Sequence, residues 1–547
     1  MKKNSFIEGT IIATGAIIFV KILGMLYIIP FYATVGIMGG ALYAYAYNIY
    51  VMFLDMSSAG IPVAISKITS EYNALGMMEA KRRAFSIGKR IIFLMSIFAF
   101  LILFIFARFV ASLLIGDLVG GNTIEDVTFV LRAISFSVLI IPLLSVSKGF
   151  LQGHKFIKPA SISQVIEQIV RIAIILIGSY VALNIFNLSL TTAIGIAVFG
   201  SFVGGAAALI YIKRKISKNK EELTLDKEYK KDDVSNKEIR NKLIKYAVPF
   251  IIISVAASLY HFIDMVLILR TLGHLGFEAE YVELVASGIA TYAPKITMII
   301  GSFGLGMNIN LIPNIATAFA LNKWGDVNAK LNKALQIFLV VAIPMVLGLS
   351  LLSTPAWTIF YGYNVTGSAI LSVYVFAGLF ASLFYIVNAV LIGLNNFKVL
   401  YKTYIIALIL KVVLNVPLML LFNHLGVSAF YGVVLATIIS YGTSLAYTLS
   451  KLKKNQDIKY TETLMVLKRM FLPLIVMIGI VIVLAIVIPY NEQSRFSSII
   501  YTGIISIIGG LAYLIFTYKT KVLGDIFGHN TVKRIIKRLT FGKVSSD

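Results

Sequence analysis

The 547-residue sequence contains no cysteine, only 2 tryptophans and 5 histidines, and just 25 acidic residues against 49 basic ones. Without cysteine there is no disulfide, no thiolate metal ligand and no thiol nucleophile. The histidines (His154, His261, His274, His424 and His529) are scattered without HExxH or paired-ligand spacing, and the acids form no cluster suited to a metal. No GxxxxGK[ST] phosphate loop occurs. Gly88-Lys89-Arg90 lacks both the upstream glycine and the hydroxyl residue, so ATP hydrolysis is not expected. Hydrophilic stretches on one side of the hydrophobic runs (184–190, 357–366, 423–427) leave no room for a catalytic domain, which argues against a membrane glycosyltransferase or polymerase. No catalytic residue is assigned.

Hydrophobic residues supply 59% of the chain and charged residues only 14%, so most of it belongs in lipid. About 20 apolar residues span the hydrocarbon of a bilayer. Fourteen such segments are predicted: 7–30, 40–66, 91–115, 127–150, 159–183, 188–212, 246–269, 284–316, 335–356, 367–393, 399–422, 427–449, 470–489 and 498–518. The fold class is an all-α integral membrane protein.

The basic residues then sort to one side. With both termini in the cytoplasm, 41 of the 49 fall in cytoplasmic stretches, as retention of Lys and Arg on that side requires. A net charge of +24 therefore reads as topology facing anionic membrane lipid, not as a nucleic-acid surface. Met1-Lys-Lys followed by Glu8 and a long apolar run gives no sign of a cleavable signal peptide. At the other end Val532, Ile535, Ile536 and Leu539 alternate with Lys533, Arg534, Lys537 and Arg538, the pattern of a basic amphipathic helix on the inner leaflet. A multi-pass protein of the cell membrane is expected, as a monomer.

The sequence repeats itself. Arg171 lies 18 residues after Gly153 and Lys411 lies 18 after Gly393, while Gly76-Met-Met-Glu-Ala-Lys81 is matched by Gly325-Asp-Val-Asn-Ala-Lys330, each following a Pro-bearing segment (Pro62, Pro313). The offset is 240 to 250 residues. The organisation read from this is an N-terminal lobe 1–212 with helices 1–6, a mixed-charge cytoplasmic linker 213–242, a C-terminal lobe 243–449 with helices 7–12, and a segment 450–547 carrying helices 13–14 and the basic tail. Such duplication is common in secondary transporters.

Charges inside apolar spans are costly and mark function. Lys21, Arg171, Lys295 and Lys411 lie within spans, and with Gln152 they are the candidate substrate-binding residues. Glu167, at i−4, offers Arg171 an intrahelical partner. Asp55, Asp264 and His261 are intramembrane groups that suit ion coupling or charge neutralisation. The predominance of cations suits an anionic head group such as phosphate or pyrophosphate. Gln152, Gln164, Gln168, Asn388 and Asn415 add partners for a hydroxyl-rich sugar. No cofactor is expected beyond a coupling ion, Na+ or H+.

The run Lys148-Gly-Phe-Leu-Gln-Gly-His154, then Pro159 and Ser163-Gln-Val-Ile-Glu-Gln-Ile-Val-Arg171, resembles the polysaccharide-export branch of the multidrug/oligosaccharidyl-lipid/polysaccharide flippase superfamily. KILGMLYIIPFYATVG, ALYAYAYNIY and AGIPVAISKITSEYNALG resemble the Gram-positive lipid II flippases and their stage V sporulation protein B relatives. The resemblance covers essentially the whole chain. It implies two six-helix lobes forming a V, two extra C-terminal helices, and alternating access for an undecaprenyl-pyrophosphate-linked peptidoglycan precursor, with cell-wall synthesis proteins as partners. Spore-cortex, capsule or teichoic precursors are the alternative cargoes, and a cation-coupled drug exporter is the alternative within the fold. By the same resemblance Lys21 matches the intramembrane cation of the first helix and Lys295 the arginine of the eighth. The second-helix arginine of Gram-negative relatives falls near Leu54 or Asp55, and a second first-helix cation falls near Tyr27, so that arginine cluster is not reproduced here.

Overall fold

The computed structural model describes residues 6–116, 118–223 and 234–528, and every regular element among them is helical. In hydrocarbon the backbone has no water to pair with, so helices, which close their own hydrogen bonds, are the expected solution. They are α1 Phe6–Leu26, α2 Ile28–Ala74, α3 Met78–Ile105, α4 Ile124–Gly153, α5 Ile157–Ile185, α6 Leu190–Lys218, α7 Asn236–His274, α8 Ala279–Ala320, α9 Trp324–Leu351, α10 Val365–Gly393, α11 Phe397–His424, α12 Phe430–Gln456, α13 Thr461–Val487 and α14 Arg495–Lys519. The 13 from α2 onward are long and apolar enough to cross a bilayer. With α1 they agree with the fourteen expected. Short helices Ala107–Ile115 and Ser353–Tyr361 prolong α3 and α9.

Exposure is inverted relative to a soluble protein. Phe98, Phe471 and Ile486 are 67%, 67% and 79% exposed, whereas Asn332, Lys411 and Asn415 are fully buried. That is the pattern of a protein whose solvent is lipid and whose polar groups are used inside.

α2 is not one rod. Gly36 has φ +67°, a conformation open to glycine at little cost. In an unbroken helix residues 27 and 43 would stand about 24 Å apart; instead their hydroxyls meet at 3.5 Å and the Phe31 and Tyr43 rings at 5.0 Å. The chain therefore reverses at Gly36: residues 28–35 finish the first span and the rest of α2 is the second.

The chain forms two compact units, residues 1–291 and 292–547, dividing in the π-helical turn Gly288–Tyr292 of α8. In the first, α4 packs on α2, α3 and α6, α5 on α6 and α1, and α7 on α2 and α3. In the second, α10 packs on Ala293–Ala320 of α8 and on α9 and α12, α11 on α12, and α13 on α9 and α14. The helix pairs of one unit thus recur in the other.

The packing also fixes the register of the repeat. A Cβ on Gly153 would stand 2.6 Å from the Ser66 carbonyl oxygen and 2.7 Å from Thr69 Cβ, and one on Gly393 would stand 3.0 Å from the Ile312 oxygen and 2.9 Å from Ile315 Cβ. Ser66 and Thr69 therefore correspond to Ile312 and Ile315, an offset of 246, while Gly153 and Gly393 keep the offset of 240. The left-handed turn residues agree: Gly76 (φ +71°) with Asn322 (+55°), Lys155 (+64°) with Asn395 (+52°). The expected match of Gly76 with Gly325 is therefore three residues out. Gly325 is the second residue of α9, and the residue equivalent to Pro62 is Asn308, not Pro313. The residue that ends the helix must tolerate positive φ, and here asparagine does the work of glycine. Five of the six residues by which the offset changes arise in the loop 116–123, which has eight residues against three in its counterpart 362–364, and the sixth in α4, which has 30 residues against 29 in α10.

The hydrophilic stretch after α6 is shorter than its charge run. α6 stays helical to Lys218, and α7 begins at Asn236 behind a capping box in which Ser235 N–H donates to Glu238 Oε2 (2.9 Å) and Glu238 N–H to Ser235 Oγ (3.2 Å). Residues 224–233 of the linker and the amphipathic repeat at 532–539 lie outside the described residues.

Candidate functional site

α6 presents Gly200 and Gly204 one turn apart. A Cβ on Gly204 would meet the Glu167 carbonyl oxygen at 2.6 Å and Arg171 Cβ at 3.1 Å, so this small-xxx-small face lets the α5 backbone lie directly on α6. Arg171 is thereby set at a fixed depth. Just beyond it α5 relaxes into π-helical turns, Ile174–Gly178 and Val181–Ile185, an irregularity often found at functional sites.

The Arg171 guanidinium donates to Gln168 Oε1 and lies in the electrostatic field of Tyr47, Tyr43, Glu167 and Tyr27. Glu167, which the i−4 spacing offers as an intrahelical partner, forms a bridge to Lys148 of α4 at 3.4 Å. Arg171 is thus held by an amide, with the Tyr47, Tyr43 and Tyr27 phenols and the Glu167 carboxylate near enough to act on its charge.

The tyrosines form a row. Tyr43, Tyr47 and Tyr50 recur at i, i+4 and i+7 on α2, with the Tyr43 and Tyr47 rings stacked at 6.1 Å and the Tyr50 ring tilted by 51° against Tyr47 at 6.1 Å. Tyr27 joins across the Gly36 reversal. α1 packs on α5, and a Cβ on Gly24 would be 3.3 Å from Gln168 Nε2, so half-buried Lys21 lies one turn away on the same side of α1. Arg171, Lys21 and the tyrosine row therefore belong to one neighbourhood built by α1, α2 and α5.

The acidic candidates gather around another face of α2. Asp55 accepts a hydrogen bond from Ser258 of α7, and Asn48 donates to Thr291 Oγ1 of α8 at 2.8 Å and contacts Met265 Sδ at 4.0 Å. His261 and Asp264 follow Ser258 at successive turns of α7, with Asp264 almost fully buried. At 100° per residue, Asn48 and Asp55 lie roughly a third of a turn around α2 from the tyrosine row.

The other candidates are dispersed. Lys411, at the repeat position of Arg171, is fully buried and donates to Thr437 Oγ1 and to the Val433 carbonyl (3.3 Å) of α12. Lys295 is half-buried one turn past the π-helical segment of α8. Gln152 is exposed at the end of α4, where it lines a cleft with Ser66, Lys67 and Glu71. Among the described residues no group of three or more His, Asp or Glu side chains is placed to hold a metal ion.

Sequence reading missed the tyrosine row, although its i, i+4, i+7 spacing was visible in ALYAYAYNIY. It also missed Lys148–Glu167, because a contact between separate helices has no sequence period.

These features can be set beside known proteins. The Polysaccharide biosynthesis protein family matches residues 6–320. "Lipid II flippase MurJ" of Bacillus subtilis (strain 168) is 32% identical over 539 residues, covering 96% of this chain and 97% of that protein. "Stage V sporulation protein B" of the same organism is 24% identical over 341 residues, covering 62% of this chain and 64% of that protein. Among solved structures, lipid II flippase MurJ in an inward closed conformation aligns with TM-score 0.69 and 19% identity, covering 93% of this chain and 99% of that one. An inward-facing multidrug resistance MATE transporter of the MOP superfamily aligns with TM-score 0.62 and 14% identity, covering 80% and 94%. The structural likenesses establish the shared fold; the family match and the near full-length relative place this chain in the polysaccharide biosynthesis protein family.

Proposed function

We propose that this protein is a flippase that carries a lipid-linked peptidoglycan precursor, lipid II, from the inner to the outer leaflet by alternating access. The observation that carries this reading is the 32% identity, over 96% of the chain, to a lipid II flippase. The chemistry of the site agrees with it. A pyrophosphate moving through a low-dielectric bundle needs cations already in place, and Arg171 offers a planar fork of donors suited to phosphate oxygens. The tyrosine row offers flat apolar faces and hydroxyls to a sugar. Lys21, Lys295 and Gln152 are assigned to the same substrate, and Lys411 supports α12 in the conformation described here.

In this reading both termini lie on the cytoplasmic side of a cell membrane, an orientation that the bias of basic residues in the sequence supports. Asp55, Asp264 and His261 are the groups through which a Na+ or H+ gradient would act, and the protein performs no covalent chemistry. The partners are the lipid-linked substrate, the surrounding anionic lipids and enzymes of cell-wall synthesis, with the chain acting as a monomer. A second reading keeps the same mechanism with another lipid-linked oligosaccharide as cargo, in line with the match to the polysaccharide biosynthesis protein family. Depletion of the protein followed by analysis of the inner leaflet decides between them: lipid II accumulates under the first reading, a different lipid-linked saccharide under the second, and neither if both are wrong.

A further inference from the structure

The repeat supplies its own control for one surface of the molecule. In the first unit, the groove where α2 passes α4 is an open cleft of 760 Å³ lined by Val63, Ser66, Lys67, Ser70, Glu71, Ala74, Gln152 and Gly153. In the register fixed above, the second unit builds the same crossing with Ile312 for Ser66, Pro313 for Lys67, Ala316 for Ser70, Thr317 for Glu71 and Ile392 for Gln152. Both crossings have the same close approach, Gly153 on Ser66 and Gly393 on Ile312. Helix packing therefore does not require the polar set, and its presence in one copy calls for another cause.

The cleft also has a shaped electrostatic wall. Glu71 is bridged to Lys242 of α7 at 2.5 Å, and Lys242 lies over the Tyr72 ring at 5.0 Å. Lys67 Nζ stands 3.9 Å from the centroid of the Tyr246 ring, which holds its ammonium at the cleft without neutralising it. Lys67, Glu71 and Lys242 together leave one positive charge. Around it stand the donors of Ser66, Ser70 and Gln152, with Lys67, Ser70 and Gln152 exposed. A volume of 760 Å³ falls within the usual range of small-molecule sites, roughly 300–1,000 Å³.

We infer that this α2–α4 cleft is a binding site for a phosphate ester at the inner leaflet, with Lys67 as the charge and Ser66, Ser70 and Gln152 as hydrogen-bond donors. It is separate from the Arg171 neighbourhood, which lies on α1, α5 and the opposite end of α2. The cytoplasmic position rests on the topology proposed above. Two sources share the chemistry: the pyrophosphate head of a polyprenyl-linked substrate on its way in, and the phosphodiester of an anionic membrane lipid.

The chain has no cysteine, so a fluorophore on Ala74→Cys reports the cleft alone. The full-length protein is placed in zwitterionic nanodiscs and titrated with farnesyl pyrophosphate, with inorganic pyrophosphate, and by exchange into nanodiscs containing phosphatidylglycerol. A saturable response to either pyrophosphate supports the site. A response to phosphatidylglycerol alone supports it too and assigns it to bulk lipid. Lys67→Gln weakens binding about tenfold, the cost of one charge-assisted hydrogen bond. Ser70→Ala with Gln152→Ile, the residues that the second unit already carries, weakens it without a folding risk. No response to any of the three, or a response that neither variant changes, overturns the inference. Lipid II translocation measured on the same samples separates the two readings: translocation without cleft binding refutes the site alone, and cleft binding without translocation refutes the lipid II assignment alone.

Discussion

Asn122 holds both oxygens of Glu283: its backbone N–H donates to Oε1 at 2.8 Å and its side-chain amide to Oε2 at 2.6 Å. The same amide reaches the Met38 carbonyl oxygen at 3.0 Å, so one residue of the loop 116–123 ties α8 to α2. Glu283 is fully buried, and a Cβ on Gly121 would stand 2.8 Å from its Oε1. Arg270 of α7 acts nearby, donating to the carbonyl oxygens of Leu113 (2.8 Å) and Ser112 (2.9 Å) at the end of the short helix Ala107–Ile115. Together these contacts explain why α7 and the start of α8 belong to the first compact unit.

Asn122→Ala removes the side-chain donor from a buried carboxyl group, at a cost of about 1.5–3 kcal/mol for a hydrogen bond of this kind. The expected result is a lower midpoint in thermal unfolding of detergent-solubilised protein. Glu283→Gln is milder on one oxygen but sets an NH2 against the Asn122 amide, so it also lowers the midpoint. Unchanged midpoints for both variants would show that the clamp contributes nothing.

Arg171→Ala is expected to reduce lipid II translocation at least about tenfold while the protein still inserts and purifies normally, since only the cation is lost. Arg171→Lys is expected to rescue little. A point ammonium does not reproduce the planar fork that donates to Gln168. Full activity in Arg171→Lys would mean that charge alone suffices and that the Gln168 and tyrosine geometry is incidental.

How much of this was readable beforehand depends on the range of the interaction. The helices were legible because a span is a local property of about 20 residues, and the fourteen expected agree with those described. The repeat was legible in Gly153 and Gly393, where close packing demands glycine in both copies. It misled at Gly76 and Gly325, because the turn that matters in the second copy is closed by Asn322, which a glycine-to-glycine match cannot find. Arg171 and Lys411 share a sequence position and differ in use, since Thr437 exists to receive Lys411 whereas the equivalent first-unit residue, Ala197, has no hydroxyl. Clamps such as Asn122–Glu283 and Lys148–Glu167 join helices distant in sequence and left no periodic trace.

Gly204→Leu tests the seat of the site. A side chain at that position would be driven into the Glu167 carbonyl and Arg171 Cβ, so α5 must move off α6 or fail to pack. Loss of folded protein, or folded protein without translocation, is expected; wild-type behaviour in both respects would show that the close approach of α5 is dispensable.

The role of Lys411 is settled by coupling to its partner. Removing a buried charge together with the group it bonds is often neutral or stabilising, whereas removing one alone leaves the other unsatisfied. Thr437 is less exposed to that penalty, because its hydroxyl also donates to the Val433 carbonyl at 3.0 Å. Lys411→Met, Thr437→Val and the double variant therefore form a cycle. If Lys411 works through α12, the effects on thermal stability are non-additive by about 0.5 kcal/mol or more, and translocation follows stability. Additive stabilities with translocation abolished only in Lys411→Met would instead assign the ammonium to the substrate.

The energy source is open to a direct measurement. No nucleotide loop is present in the sequence, and moving one charge through a 100 mV potential yields about 2.3 kcal/mol, enough for roughly a fiftyfold accumulation. If Asp55 and Asp264 transmit that energy, proteoliposomes respond to an imposed Na+ or H+ gradient or to a membrane potential, and Asp55→Asn or Asp264→Asn removes the response while leaving passive equilibration of the lipid. The Asn variants keep size and hydrogen bonding: Ser258 can still donate to the amide oxygen at position 55, so a folding defect does not imitate the effect. Wild-type translocation that ignores Na+, pH and potential alike would eliminate coupling through these carboxylates and leave facilitated diffusion down the lipid's own gradient.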